Sequence, residues 1–129
     1  MKNHKAIIID LDGTLCKPKK KNQDYRDLAP DTEIIKKIRS YKSKGFSIVI
    51  FTSRNMRTFK GDIKKITAHT LPVILAWLKK HRVPYDEVRI GKPWCGEGGF
   101  YIDDKAIRPD EFARLSMKQI IKLIKPAKR

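Results

Sequence analysis

The chain has 129 residues, 40% of them hydrophobic, which is one domain of ordinary size with enough apolar side chains for a core. Lys and Arg number 30 against 14 Asp and Glu, a net charge of +16 that attracts polyanions and sets encounter rates without specifying an activity. No apolar run nears the roughly 20 residues of a membrane-crossing helix, the 2 cysteines form no disulfide framework, and Met1 to Lys5 leads into an apolar stretch without a leader's cleavage site, so a cytoplasmic protein with no membrane partner is expected.

Ala6-Ile7-Ile8-Ile9 reads as a strand buried on both faces, as in parallel sheets, and it ends abruptly in Asp10-Leu11-Asp12-Gly13-Thr14. Side chains alternate along a strand, so Asp10 and Asp12 project to the same side. Two carboxylates that close need a cation between them or a retained proton. Open α/β sheets bind their ligands at this end of the strands. The segment therefore predicts a metal site, an acid/base pair, or both. A calcium loop is not matched, because Leu15 stands at the place of the sharp-turn glycine and Lys21 where the bidentate glutamate belongs. In isolation, Asp-x-Asp-Gly would be a turn or a cap; the rest of the chain argues otherwise.

Residues 16–28 are polar and irregular, a loop or small flap that carries the dense run Lys17-Pro18-Lys19-Lys20-Lys21. Pro30-Asp31-Thr32-Glu33 opens a helix with Ile34, Ile35, Ile38 and Tyr41 on one face, closed at Gly45. Ser47–Phe51 is a second buried strand, followed by Thr52-Ser53-Arg54-Asn55. Residues 56–65 are ambiguous, and a helix comes next over 72–81 with Val73, Ile74, Trp77 and Leu78. Residues 87–90 form a third strand before Gly91-Lys92-Pro93, and residues 100–102 a fourth before Asp103-Asp104. Ser116 and Gln119 make a capping box for a last helix over 117–125, stopped by Pro126. The alternation predicts an α/β fold, a Rossmann-like doubly wound parallel sheet with flanking helices, as a single domain over 1–129.

If the strands are parallel, their ends meet at one edge of the sheet. Asp10, Asp12, Asp103 and Asp104 then supply three or four carboxylates for a metal ion. Thr52 supplies a hydroxyl beside the amides near Ser53 for phosphate oxygens, and Lys92 an ammonium countercharge. Taken singly, Lys92 is a turn lysine, Thr52 a strand-end residue and Asp103-Asp104 a turn pair. His4, His69 and His81 are scattered and read as surface or helix residues. The lysines read first as a solvated surface, then as attraction for a phosphorylated substrate, and last as a nucleic-acid interface.

This set resembles the four sequence motifs of the haloacid dehalogenase superfamily of phosphotransferases: Asp10 to Leu15, the strand ending at Thr52, Lys92, and Asp103-Asp104 after an apolar stretch. Within it, Phe51-Thr52-Ser53-Arg54-Asn55-Met56-Arg57-Thr58, Thr70-Leu71-Pro72, Gly91-Lys92-Pro93-Trp94-Cys95-Gly96 and the run from Asp103 to Pro109 resemble a small group of capsule-biosynthesis phosphatases. The resemblance implies the fold, Mg2+ and an aspartyl-phosphate route. Asp10 would be the nucleophile, and Asp12 the acid that protonates the leaving alkoxide and then the base that deprotonates water. Mg2+ would be held by Asp10, the main-chain carbonyl of Asp12 and Asp103, with Asp104 as ligand or support. Lys92, Thr52 and the amides near Gly13 and Ser53 would hold the phosphoryl oxygens. Arg54, Asn55, Arg57, Trp94 and Cys95 flank these residues as expected substrate contacts. The gaps between motifs are too short for a large cap domain, so the site is expected to be open or roofed by a neighbour in a homo-oligomer. The expected substrate is a small sugar phosphate of polysaccharide assembly; a nucleic-acid 3'-phosphatase and a non-catalytic basic binding module are the alternatives.

Overall fold

A computed structural model describes residues 4–126; residues 1–3, part of the start read as leaderless, and residues 127–129 lie outside the described residues. The chain divides into two compact units, Met1–Trp94 and Cys95–Arg129. The first is built on a three-stranded parallel sheet, β1 (Ala6–Ile9), β2 (Ser47–Phe51) and β3 (Glu87–Arg89), in that spatial order. Ile7 pairs with Ile48 and Ile9 with Ile50, while Ile50 pairs with Val88 and Phe51 with Arg89. All three strands therefore run the same way, and the residues just after each strand lie at one edge of the sheet.

The crossover from β1 to β2 is the expected helix, α1 (Thr32–Ser43), whose Asp31 side chain accepts the amide of Ile34 at its N-terminus. Ile34, Ile35, Ile38 and Tyr41 are its buried residues, and the helix packs on β2. Between β2 and β3 stand two helices, α2 (Ile63–His69) and α3 (Leu71–Lys80). The second was expected from Ile74, Trp77 and Leu78, which are buried; the first occupies the stretch whose polarity hid it, since Ile66 is its one buried residue. Of the loop or flap expected over residues 16–28, Cys16 bridges to Asp12 and Pro30, while residues 17–28 form the flap, with a short 3-10 turn at Tyr25–Asp27. Its base is closed where the Lys17 amide donates to the Ala29 carbonyl at 3.0 Å and Asp31 to Leu15 at 2.8 Å. The Trp77 indole donates to the buried Leu28 carbonyl at 2.8 Å, which fixes the end of the flap to α3.

The structure corrects the expectation of burial on both faces of the first strand. β1 stands at the edge of the three-stranded sheet and Ile8 is 60% exposed; the central β2 buries one face through Ile48 and Ile50, and Ser47, Val49 and Phe51 on its other face are half-buried. A second correction concerns residues 100–102, which are not strand; Phe100 and Ile102 are 76% and 90% exposed. In the second unit the chain instead forms α4 (Pro109–Arg114) and α5 (Met117–Leu123), with Phe112 and Ile120 buried. The capping box at Ser116 and Gln119 is present as expected. No helix among the described residues is long and apolar enough to cross a membrane.

Candidate active site

The ends of the three parallel strands place Asp10, Thr52 and Lys92 at one edge, and the hydrogen-bond ladder carries them there. Beyond β2, the Thr52 amide donates to the Arg89 carbonyl at 3.0 Å, and the Thr52 carbonyl accepts the Lys92 amide at 3.1 Å. The pairing of β2 with β3 is thus extended until the loop bearing Lys92 is fastened to Thr52. Gly91 turns the chain into that position with φ +84°, a conformation that a side chain disfavours. The Lys92 ammonium then lies 3.6 Å from the Asp10 carboxylate.

Asp10 is half-buried, and the Thr14 hydroxyl lies 3.5 Å from its second oxygen. Burial pushes the Asp10 carboxyl above its ordinary value; Lys92 and an amide bond from Leu11 oppose this, while the charge of Asp12 adds to it. The Thr14 hydroxyl and the Lys92 ammonium both stand at the long end of contact with this carboxylate. Such a hard oxygen donor in a partly desolvated place, beside a second carboxylate, suits Mg2+, which takes few protein oxygens and keeps several waters. Among the described residues no group of three or more His, Cys, Asp or Glu is gathered as a metal site. Of the expected ligands, Asp10 and Asp12 belong to the first unit, and Asp103 and Asp104 to the second. There both are exposed, and the Asp103 carboxylate accepts the Lys105 amide at 2.8 Å, a turn of the Asx kind.

Beyond Asp12 the chain winds tightly around one carbonyl: the amides of Thr14, Leu15 and Cys16 all donate to Leu11 at 2.9–3.2 Å. Gly13 supplies the positive φ of +84° that starts this turn. Its amide, expected to receive a phosphoryl oxygen, donates instead to the Cys16 carbonyl at 2.9 Å, because the tight turn consumes it.

The Asp12 carboxylate holds the largest surprise. Arg54 grips it with two parallel bonds, Nε to Oδ2 at 3.0 Å and Nη2 to Oδ1 at 2.8 Å. Arg54 is only 4% exposed; it was expected to touch substrate and is turned inward onto Asp12. Its guanidinium lies 4.2 Å from the Tyr25 ring centroid. Cys16 closes the other flank, its Sγ at 3.4 Å from Asp12 Oδ1 and 3.9 Å from Arg54 Nη2. Burial, aided by the Asp12 charge, pushes the Cys16 thiol up to about 12, so this cysteine is no nucleophile. Tyr25, Cys16 and the inward Arg54 escaped the sequence reading because nothing in local spacing joins the flap to the end of the second strand.

Thr52, 1% exposed, accepts the Arg54 amide on its hydroxyl at 3.1 Å, which leaves the hydroxyl hydrogen to donate. Ser53 gives its carbonyl to the Met56 amide in the next turn. Asn55, also expected at substrate, adopts φ +62° and is absorbed by that turn: its side-chain carbonyl accepts the buried Thr70 hydroxyl at 2.6 Å, and its amide lies 3.3 Å from Thr58. Asparagine tolerates this left-handed geometry better than most residues. Trp94 stays 43% exposed, with the Arg57 guanidinium 5.4 Å from its ring centroid. Cys95 is exposed in the second unit.

Residues 7–128 match the family model of the haloacid dehalogenase-like hydrolases. A crystal structure of a protein from Vibrio cholerae is similar, at 52% sequence identity and a TM-score of 0.89, covering 93% of this chain and 96% of that one. None of the curated proteins compared matches the chain.

Proposed function

This chain belongs to the haloacid dehalogenase-like hydrolases, and on that footing we propose that it is a Mg2+-dependent phosphatase of a small phosphate monoester, a sugar phosphate of capsular polysaccharide assembly. The observation that carries the reading is the half-buried Asp10 just after β1, with the Lys92 ammonium 3.6 Å from its carboxylate and Thr52 just after the neighbouring strand β2. A carboxylate in that position attacks phosphorus, the ester bond breaks, and the phosphoryl group passes to Asp10. Asp12 gives its proton to the departing alkoxide, then takes one from the water that releases phosphate. Lys92 and the Thr52 hydroxyl face the charge that spreads over the phosphoryl oxygens. Mg2+ would be held by Asp10 and the Asp12 main-chain carbonyl, and when bound it would neutralise phosphoryl charge.

The test is phosphate release from a panel of phosphorylated metabolites with Mg2+, oligonucleotides included. Turnover of sugar phosphates that is abolished by chelator and restored by Mg2+ is the expected result. The charge of +16 favours a second reading, a nucleic-acid 3'-phosphatase, which the same panel tests. Activity confined to 3'-phosphorylated ends, falling steeply with salt, would select that reading. No turnover of any ester would leave a basic binding module.

A further inference from the structure

Arg54 is a costly residue to place where it is, because a buried guanidinium loses its water and must recover the loss from its partners. Its bonds go to Asp12, through both oxygens, and weakly to the Cys16 sulfur, while Nη1 is buried without an acceptor among the described residues. Nε and Nη2 are both spent on Asp12, so the guanidinium is turned inward onto that carboxylate. What it fixes is the plane and rotamer of one carboxylate, since a planar fork meeting both oxygens removes the freedom that a point charge would leave. Three elements hold the fork in turn: the Thr52 hydroxyl accepts the Arg54 amide, the Tyr25 ring covers the guanidinium face at 4.2 Å, and Cys16 packs at its side.

We propose that Arg54 is a positioning residue that aims Asp12 at the leaving group, with Tyr25 of the flap as the wall that keeps it aimed. The proposal rests on the phosphatase reading and adds to it a specific dependence. A proton reaches a departing oxygen only from a carboxyl within hydrogen-bond reach, and misplacement by about 1 Å can cost on the order of 100-fold. That loss falls on esters whose alkoxide needs the proton, and much less on nitrophenyl phosphate, whose leaving group departs as an anion.

The test compares kcat/KM for a sugar phosphate and for nitrophenyl phosphate, because this ratio reports the step in which the leaving group departs. In Arg54→Gln the loss on the sugar phosphate should exceed that on nitrophenyl phosphate by about tenfold or more, and adding Asp12→Asn should deepen it little. Tyr25→Ala, on the half-exposed flap, should shift the ratio in the same direction by a smaller factor, and Tyr25→Phe, which keeps the ring face, should restore it. Equal losses on both esters in Arg54→Gln and Tyr25→Ala would overturn the proposal, as would a rise in KM with kcat retained, which would make Arg54 a substrate contact. A urea double-mutant cycle on Arg54 and Asp12 needs no substrate. Additive effects there would deny the pairing itself, whereas strong coupling in a protein that hydrolyses no ester would retain the pairing and overturn the phosphatase reading instead.

Discussion

Asp10 and Asp12 leave the same strand two residues apart, yet one faces an ammonium and the other is clasped by a buried guanidinium. In the proposed mechanism that difference in partners goes with different work, attack for Asp10 and proton transfer for Asp12. Asp10→Asn keeps the shape of the side chain and removes the attacking anion, so phosphate release from every ester should fall by at least ~1,000-fold while the circular dichroism spectrum is retained. The cysteines supply a check on the packing around Asp12. Cys16 is buried and its thiol is pushed up to about 12, whereas Cys95 is exposed. Alkylation of the native protein near neutral pH should give one adduct, at Cys95, and two after unfolding in urea, read by mass spectrometry; rapid native labelling of Cys16 would contradict the closed flank. The carboxylate pair, Thr52 and Lys92 were legible as candidates because strand ends announce themselves in an apolar run that stops. The inward Arg54 and the turn-bound Asn55 were not, because whether a polar side chain points to ligand or to a neighbour depends on partners far away in sequence, here Asp12 and Thr70.

Among the elements, β1, β2, α1 and α3 were readable from their apolar residues; β2, α1 and α3 each bury a stripe, whereas β1 fully buries only Ile9. α2 was hidden by its lysines, although Asp62 caps it. α4 carried a signal that went unread, Pro109 at its first position and Glu111 accepting the Arg108 amide at 2.8 Å. Residues 100–102 misled for the opposite reason: an apolar, aromatic triplet has the composition of a strand, but strand formation requires a hydrogen-bonded neighbour, which composition does not specify. The elements of the sheet are also tied by one acid. Asp86 accepts the Ile48 amide at 2.7 Å and pairs with Lys42 of α1 at 2.7 Å, which joins α1, β2 and the approach to β3. The Lys42 bond, then the Ile48 amide, hold the Asp86 carboxyl below its ordinary value. Its stabilisation is therefore complete above the unfolded-chain value near ~3.9 and is lost as pH falls through the lower native value. Asp86→Asn should lower the unfolding free energy measured in urea at neutral pH by about 1 kcal/mol or less, given the exposure of the pair, and should flatten the acid dependence below about pH 4. An unchanged acid dependence would contradict the tie.

At the scale of the whole molecule, no large cap stands among the described residues of the first unit, where the flap of residues 17–28 lies against Arg54 through Tyr25. Water exclusion strengthens the electrostatics of a phosphoryl site, so we expect a homo-oligomer in which a neighbour roofs it. Sedimentation at assay concentration tests this: a monomer that still discriminates sharply among small sugar phosphates would contradict the roof. The charge of +16 should make encounter with anionic substrates faster at low salt without altering which ester is cleaved. The central claim, that the phosphoryl group passes to Asp10, is tested most directly in Asp12→Asn, which lacks the base for the second step. Mixed with nitrophenyl phosphate and Mg2+, this variant should release a burst of about one nitrophenol per chain and carry a phosphoryl group on the peptide containing Asp10 in its mass spectrum. Continuous nitrophenol release with that peptide unmodified would contradict the covalent route.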